Sequence, residues 1–290
     1  MPQLDLEIII VTFNSQFWLK KTLSSMSEFY LAKTKRTVQV TVVDNHSEDE
    51  TLVMLRREFK WVKVIELSSN LGFAAANNLA IAQSSATYVM LCNSDVEFTN
   101  QSNLDILLTY LDEHPQTGVI TPRLEFTSGD IDRACHRGEP TLWASATHFL
   151  GLENLFPNSK FFSQYHQTYK DFNSFHTIDA CSGAAMIVRQ SLLKTVGMLD
   201  ERFFMYAEDL DWCHRFRDEG HLIMFYPQVK LIHHKNKSGI KSSSQKLAIK
   251  TRHHFYNTML QYYDKYYRTK YPEVVRIFIK YFLFIKKGAL

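Results

Sequence analysis

Short β-branched runs alternate with longer segments of helical periodicity along the first part of this sequence. Continuous apolar runs, typical of buried parallel strands, occur at residues 7–12 (EIIIVT), 38–43 (VQVTVV), 62–67 and 87–92 (TYVMLC). Between these runs, apolar residues recur at helical spacing within residues 18–26, 52–59 and 71–83. This alternation predicts an α/β fold with a doubly wound, mostly parallel sheet.

Polar residues follow three of the predicted strands. These groups are Thr12 to Asn14, Asp44 with Asn45, and Asn93 to Asp95. Ligands of open α/β sheets bind at the carboxyl ends of the strands, so the three groups are predicted to line one crevice. Each group alone could serve as a turn or a helix cap.

The sequence lacks both common glycine-rich phosphate motifs. GxGxxG does not follow the first strand, and GxxxxGK[ST] is absent. A nucleotide site would therefore use side chains and a metal ion. Asn93 and Asp95 offer the oxygen ligands that suit Mg²⁺ or Mn²⁺, and His233 or His234 could complete the site. The alternatives are a turn at residues 93–95 and a solvated histidine pair.

Three acids follow an aromatic run. Phe203 to Tyr206 precede Glu208, Asp209 and Asp211 at the predicted start of a helix that ends at Gly220. Carboxylates stabilise the positive end of a helix dipole, which is one explanation. The other is catalytic, because an aromatic wall beside a carboxylate raises its pKa by desolvation and makes it a better base.

Composition restricts the class of protein. The four scattered cysteines form no CxxC pair, which indicates a reducing compartment and argues against a disulfide framework or a zinc site. Residues 1–7 show no secretory signal, so a cytoplasmic location is expected.

Residues 230–290 hold 14 Lys or Arg against two acids, whereas residues 1–229 carry a net charge of −9. A basic tail favours an anionic partner such as a phospholipid surface or nucleic acid, and the alternative is a solvated helical tail. The sequence holds no nucleic-acid recognition motif.

The second half of the chain is less regular. Helical or strand patterns occur at residues 104–111, 119–121, 177–188, 210–218, 221–227 and from residue 253 onward. Residues 129–179 are predicted to form a loop-rich insertion near the site. We expect a catalytic domain at 1–240, with a nucleotide-binding half at 1–100 and an acceptor and catalytic half at 101–240. A helical basic and aromatic tail follows at 241–290.

The order of motifs resembles the inverting family 2 glycosyltransferases of GT-A fold, in particular the bacterial rhamnosyltransferase-like branch. The matching segments are IIIVTFNS (8–15), VVDNHSEDET (42–51), NLGFAAANN (70–78), MLCNSDVE (90–97), SGAAMIVR (182–189), GMLDERFFMYAEDLDWCHRFRDEG (197–220) and IHHKNKS (232–238). Seven ordered matches over residues 8–238 make the resemblance specific. It implies an enzyme that transfers a sugar from a nucleotide diphosphate donor.

The resemblance also implies the roles of the residues around the donor. The nucleotide- and donor-binding positions are Thr12, Phe13, Asn14, Asp44, Asn45, Gly72, Asn77, Asn93, Gly183 and Ala184. Phe13 is expected against the base, Asp44 is expected to accept a hydrogen bond from the pyrimidine, and Gly183 and Ala184 are expected near the sugar.

The metal and base positions follow from the same resemblance. Asp95 and His233 are the implied ligands of Mg²⁺ or Mn²⁺, and Asp209, with Glu208 beside it, occupies the position of the catalytic base. Asn93 stands where a strict DxD has its first acid, so one fewer charge should weaken metal binding.

The implied donor is dTDP-rhamnose and the implied acceptor a glycan or polyprenyl-diphosphate-linked sugar of cell-surface polysaccharide synthesis. UDP-galactofuranose, UDP-glucose and UDP-N-acetylhexosamine are alternative donors. A non-catalytic nucleotide-sugar-binding protein on the same scaffold is a further alternative.

The tail ends in a short amphipathic segment. Residues 274–285 (VVRIFIKYFLFI) are strongly apolar but too short and too charged to span a bilayer. Aromatic bulk with basic residues is typical of interfacial helices, so the tail could lie on the inner leaflet of the membrane. Alternatively it could pack on the catalytic domain or on a second subunit in a homodimer.

Overall fold

The computed structural model describes residues 3–235 and 245–288, with side chains for 3–235 and 253–286. Its strands are β1 (Leu6–Thr12), β2 (Val38–Asp44), β3 (Lys63–Glu66), β4 (Tyr88–Asn93), β5 (Val96–Glu97), β6 (Thr117–Glu125), β7 (His176–Ile178), β8 (Ala185–Arg189) and β9 (Leu222–His233). Its α-helices are α1 (Gln16–Met26), α2 (Thr51–Glu58), α3 (Phe73–Gln83), α4 (Asp105–Glu113), α5 (Leu142–Phe149), α6 (Leu152–Leu155), α7 (Leu193–Val196), α8 (Glu208–Asp218), α9 (Gln245–Tyr266) and α10 (Glu273–Gly288).

Within these described residues the strands form one sheet in the order β3-β2-β1-β4-β8-β6-β9-β5, with β7 paired to β9. Six strands run in one direction, and β5, β7 and β8 run against them. The prediction of a mixed α/β, mostly parallel sheet followed by C-terminal helices is confirmed.

The apolar runs fold as central strands because both of their faces are covered. Ile8, Ile9 and Ile10 are consecutive and fully buried, as expected for a strand with helices on each side. Leu19 and Leu23 on α1 lie in the same core. The helical spacing seen in the sequence therefore marks the sides of the helices that pack on the sheet.

The second half of the sheet is longer than its pattern predicted. The expected strand at 119–121 continues through Pro122 as β6, with a register shift between Pro122 and Arg123. The expected strand at 221–227 continues as β9 to His233. The short β5 pairs with the end of β9, and Val96 stands opposite His233. This pairing brings the segment after β4 beside the histidines.

The 129–179 insertion carries regular structure as well as loops. Helices α5 and α6 and strand β7 lie within it. The lack of periodicity in the sequence reflects how short these elements are, since helices of four to eight residues show little repeat.

Tyrosines on helix α9 and directly after it pack against the preceding part of the chain. Tyr262 and Tyr267 donate hydrogen bonds to Glu139 Oε1 at 2.8 and 2.6 Å. Tyr266 donates to Asp211 Oδ1 at 2.7 Å. Helix α10 folds back on α9, and the Arg276 guanidinium pairs with Asp264.

None of the described helices is long and apolar enough to cross a membrane. Residues 236–244, which include most of the polar segment before α9 and the end of the last matching motif, lie outside the described residues.

Candidate active site

The ends of three neighbouring strands meet at one edge of the sheet. Thr12 stands opposite Asp44 between β1 and β2, and Val11 stands opposite Asn93 between β1 and β4. The polar groups predicted to share a crevice are therefore brought together by strand register.

Two loops at this edge are fastened to each other. The Asn14 backbone, in the left-handed region with φ 48°, donates to Ser47 Oγ at 2.9 Å, and Asn14 Oδ1 accepts from Glu48 N at 2.7 Å. Asp44 Oδ2 accepts from Ser47 N at 3.0 Å. Asp44 Oδ1 is buried and has no hydrogen-bond partner among the described residues. An unpaired buried carboxylate oxygen is costly, so this atom is suited to receive a donor from a ligand.

Asn45 and Gly72 shape the next loop. The Asn45 amide donates to Gly72 O at 3.1 Å, and its oxygen accepts from Leu71 N at 2.8 Å. Gly72 has φ +85°, and an added Cβ would lie 2.4 Å from Phe204 O. Phe73 N donates to that same carbonyl at 2.7 Å. Gly72 is therefore required for the close approach of the aromatic run before α8.

Phe13 and Asn77 occupy different environments. Phe13 is half-buried just beyond β1. Asn77 is fully buried on α3, where its amide donates to Phe73 O at 2.8 Å and its oxygen lacks a partner among the described residues. Asn77 thus supports the turn that carries Phe73.

Asp95 and His233 lie together. His233 Nε2 is 3.3 Å from Asp95 Oδ1 and 3.4 Å from the Asn93 amide nitrogen. His233 Nδ1 is 2.8 Å from Asp132 Oδ2, and Lys235 also pairs with Asp132. Burial lowers the pKa of His233, but its hydrogen bonds to Asp132 and Asp95 outweigh burial and raise the pKa to about 9. A histidine held at Nδ1 by a carboxylate presents Nε2 in a defined direction, as metal-ligating histidines do.

The second histidine faces elsewhere. His234 Nε2 lies 2.6 Å from Glu97 Oε2, and its ring packs against Trp18 at 4.8 Å between centroids. Side chains alternate at the end of β9, so that the His233 side chain faces Asp95 and the His234 side chain faces Glu97. The carboxylate, amide and oriented imidazole at residues 95, 93 and 233 fit a divalent cation of the Mn²⁺ or Mg²⁺ class.

Asp209 is held by three donors. Arg137 Nη2 donates to Oδ2 at 2.6 Å and Gly183 N donates to the same oxygen at 3.3 Å. Leu210 N donates to Oδ1 at 2.8 Å. Arg137 also donates to Cys181 O at 2.7 Å, so it ties the carboxylate to the segment before Gly183. The ion pair is largely buried, and Arg137 keeps its positive charge because the charge of Asp209 offsets the effect of burial and raises its pKa.

Glu208 is a buried carboxyl group beside Asp209. Burial, followed by the negative charge of Asp209, raises the pKa of Glu208 well above its usual range. Glu208 Oε2 is buried without a hydrogen-bond partner among the described residues. Tyr206 and Ala207, directly before it, both have positive φ, 72° and 65°. Consecutive non-glycine residues in this region store backbone strain of about 1–3 kcal/mol each, which is common at functional sites.

Asp211 has a structural role. It is fully buried and pairs with Arg215 on α8 and with Lys265 and Tyr266 on α9. The three acids of the motif therefore differ in their surroundings. Asp209 is paired with Arg137, Glu208 has a raised pKa, and Asp211 anchors α9.

Hydrogen bonds connect Asn93, which lies beside His233, to Asp209 through the loop at residues 183–184. Asn93 N donates to Ala184 O at 3.0 Å, and the adjacent Gly183 donates to Asp209. A Cβ on Gly183 would lie 3.2 Å from the Phe73 ring, so the loop passes close to α3.

Two residues at the site were not foreseen. Arg137 and Asp132 both come from the 129–179 insertion, which carries no periodic signal. The available hint was the expectation that this insertion lies near the site.

A profile described as "Glycosyl transferase family 2" matches residues 7–197, more than half of the chain. This chain belongs to glycosyl transferase family 2. The match covers the strand-end residues, Asp95 and the Gly183 loop, and it ends before Asp209 and His233.

Similar proteins agree with this family. The chain is 28% identical to the N-acetylglucosaminyl-diphospho-decaprenol L-rhamnosyltransferase of Mycobacterium tuberculosis over 84% of this chain and 80% of that protein. It is 23% identical to the dTDP-rhamnosyl transferase RfbF of Shigella flexneri over 78% of this chain and 67% of that protein.

Two solved structures share the fold. The mannosyltransferase PcManGT of Pyrobaculum calidifontis, in complex with GDP-Man and Mn²⁺, superposes with a TM-score of 0.59 at 15% identity over 91% of this chain. Staphylococcus aureus TarS 1–349 in complex with UDP superposes with a TM-score of 0.53 at 18% identity over 89% of this chain. This chain spans 64% and 66% of those two chains.

Proposed function

We propose that this family 2 glycosyltransferase transfers rhamnose from dTDP-rhamnose to a polyprenyl-diphosphate-linked glycan, with inversion at the anomeric carbon. The observation that carries the proposal is the hydrogen bond from Gly183 N to Asp209, with Ala184 bonded to Asn93. It places a carboxylate against the loop expected to hold the donor sugar. The names of the mycobacterial and Shigella relatives support the sugar, and the mycobacterial name supports the lipid-linked acceptor.

The donor is proposed to lie across the edge of the sheet. The free oxygen of Asp44 accepts the imide N–H of the pyrimidine, which thymine and uracil share, and Phe13 lies against the base. Asp95 and His233, with Asn93 beside them, would hold the divalent cation, which would supply positive charge to offset that of the leaving nucleotide diphosphate. Gly183 and Ala184 have no bulky side chains, so the sugar can approach the backbone there.

In the proposed step Asp209 takes the proton from an acceptor hydroxyl. The hydroxyl oxygen forms a bond to the anomeric carbon while the bond from that carbon to the diphosphate oxygen breaks, and the nucleotide diphosphate leaves. One displacement inverts the configuration, so no second carboxylate nucleophile is required. Arg137 holds the Asp209 carboxylate in place through their ion pair.

The experiment is a transfer assay with a synthetic N-acetylglucosaminyl-diphospho-prenol acceptor and Mn²⁺ or Mg²⁺. We expect dTDP-rhamnose to be used in preference to UDP-glucose, UDP-galactofuranose and UDP-N-acetylglucosamine, and NMR of the product to show the inverted anomer. Preference for one of the UDP sugars would overturn the assignment of the donor. Donor binding without transfer or hydrolysis would indicate a non-catalytic binding protein.

We further propose that α10 attaches the enzyme to the inner, cytoplasmic face of a membrane. Its apolar face consists of Val274, Ile277, Phe278, Tyr281, Phe284 and Ile285, which are 47–73% exposed. The opposite side packs inward, where Leu283 is buried and Phe282 contacts Phe149 at 5.4 Å between ring centroids. Exposed aromatics with Lys280 and Lys286 on the same helix suit an anionic phospholipid surface, where a polyprenyl-linked acceptor would be found.

A further inference from the structure

A second cluster of metal-binding side chains lies in the insertion, apart from Asp95 and His233. It comprises His148 on α5, Glu153 on α6 and His166 in the loop that follows. Their ligand atoms all lie within 4.8 Å of one another. His148 Nδ1 is 2.7 Å and His166 Nδ1 is 2.9 Å from the same oxygen, Glu153 Oε1.

The hydrogen bonds of this cluster, among the described residues, leave one carboxylate oxygen without a donor. Glu153 is 98% buried, yet both imidazoles address one of its oxygens, and Oε2 has no partner among the described residues. Buried carboxylate oxygens are almost always paired, so the free oxygen points to a missing ligand. His148 remains partly exposed, with 32% of its side chain accessible, which leaves a path for an ion to enter.

We propose that His148, Glu153 and His166 bind a divalent transition-metal ion of the zinc class. Two imidazoles and one carboxylate are a known zinc ligand set, and imidazole favours Zn²⁺ over Mg²⁺. The scattered cysteines argued against a zinc site, but this cluster needs none of them.

The site would fasten the insertion beside the proposed base. The carbonyl of His166 accepts a hydrogen bond from His136 Nδ1 at 2.9 Å. The carbonyl of the preceding Tyr165 accepts from Gly138 N at 2.7 Å. These two bonds bracket Arg137, which pairs with Asp209. The ion therefore acts as a structural clamp that positions Arg137 from outside the catalytic centre.

The test uses the full chain stripped with chelator and then given ZnCl₂ or CoCl₂ without nucleotide sugar. We expect one equivalent bound at this cluster, a visible Co²⁺ absorption band of a low-coordinate nitrogen and oxygen site, and a melting temperature a few degrees higher with Zn²⁺. In the Asp95→Asn variant, which lacks a carboxylate of the other cation site, MgCl₂ alone should produce neither the binding nor the shift.

Variants separate this site from the donor site. Asp95→Asn should keep the Co²⁺ band, whereas Glu153→Gln and His166→Gln should lose it. His148→Gln, at the accessible rim, serves if the buried variants fail to fold, and His221→Gln is the matched control. Absence of the band in the wild-type protein, or its loss in Asp95→Asn but not in His148→Gln, would overturn the proposal.

Discussion

Arg137 and Asp209 form an ion pair in which both side chains are about nine-tenths buried. Removing one partner of such a pair leaves the other charge buried and unpaired, which costs about 3–5 kcal/mol. At the scale of single residues, loss of either charge is therefore expected to affect folding as well as the proposed chemistry. Substitutions that preserve shape give the clearest tests.

Asp209→Asn should retain donor binding and lose transfer. We expect kcat to fall by about 10²–10⁴, because the amide cannot accept the hydroxyl proton. Donor KM and circular dichroism check binding and folding. Glu208→Gln is the matched neighbour and should cost much less, since Glu208 already resists ionisation. The base would be misassigned if Asp209→Asn kept near wild-type turnover while Glu208→Gln lost it.

Asp132→Asn should weaken binding of Mn²⁺ by about 10–100-fold, the usual effect of removing the carboxylate that orients a ligating histidine. The change can be measured by Mn²⁺ titration in the presence of dTDP. Asp130→Asn, an exposed acid two residues away, should leave the affinity unchanged. Equal affinities for all three proteins would show that Asp132 does not act through His233.

Gly72→Ala should destabilise the protein by about 1–3 kcal/mol beyond Gly129→Ala. Both glycines have similar positive φ, +85° and +87°. A Cβ at Gly72 would meet Phe204 O, whereas no atom of the described residues lies within 4 Å of a Cβ at Gly129. The comparison isolates the close contact from the backbone strain. Urea denaturation of the two variants measures the difference, and equal midpoints would contradict it.

At the scale of elements, Glu139 joins three parts of the molecule. It lies in the insertion, accepts hydrogen bonds from Tyr262 and Tyr267 at the end of α9, and pairs with His214 and Arg217 on α8. Burial raises the pKa of Glu139, but the bonds from His214 and Tyr267 outweigh it and lower the pKa to about 2. Helix α9 is thus fastened by a carboxylate that stays ionised in acid.

Because its pKa is lowered in the folded protein, Glu139 stabilises the fold less as the pH falls. The stabilisation is fully present above the ordinary glutamate value of 4.5 and is lost as pH falls toward 2. Glu139→Gln should therefore lower the free energy of unfolding by on the order of 2 kcal/mol at pH 7 and reduce its decline between pH 4.5 and 2. Denaturation at several pH values measures this, with the exposed Glu113→Gln as control. A parallel acid decline in both variants would contradict the role of Glu139.

At the scale of the whole molecule, residues 1–229 carry a net negative charge and residues 230–290 a net positive charge. The last helix, α10, exposes an apolar face. The double variant Phe278→Ser/Phe284→Ser should lose flotation with anionic liposomes, because these side chains are 69% and 73% exposed on that face. Phe17→Ser removes an equally exposed phenylalanine elsewhere, 69%, and should float normally. Failure of the wild-type protein to float, together with a dimer in solution that the double variant abolishes, would assign the face to a second subunit.

Local patterns in the sequence were enough to predict the sheet and the edge at which the candidate site lies. A continuous apolar run such as residues 7–12 predicts a strand that is buried on both faces. Polar residues at 12–14, 44–45 and 93–95 predict where the strands end. Both signals can be read from neighbouring residues in the sequence. The order of motifs determined the family as well. Asp209 and Asp95 could be singled out because they stand inside those motifs.

The pairs of side chains that contact each other become visible only in the folded chain. Arg137 reaches Asp209 across 72 positions, and Asp132 reaches His233 across 101. The tertiary structure also decided that His233 rather than His234 faces Asp95. Such pairings depend on where an aperiodic insertion folds against the sheet, and no local repeat in the sequence encodes that position. The sequence could therefore locate the crevice, whereas only the packed chain determines the charges that line it.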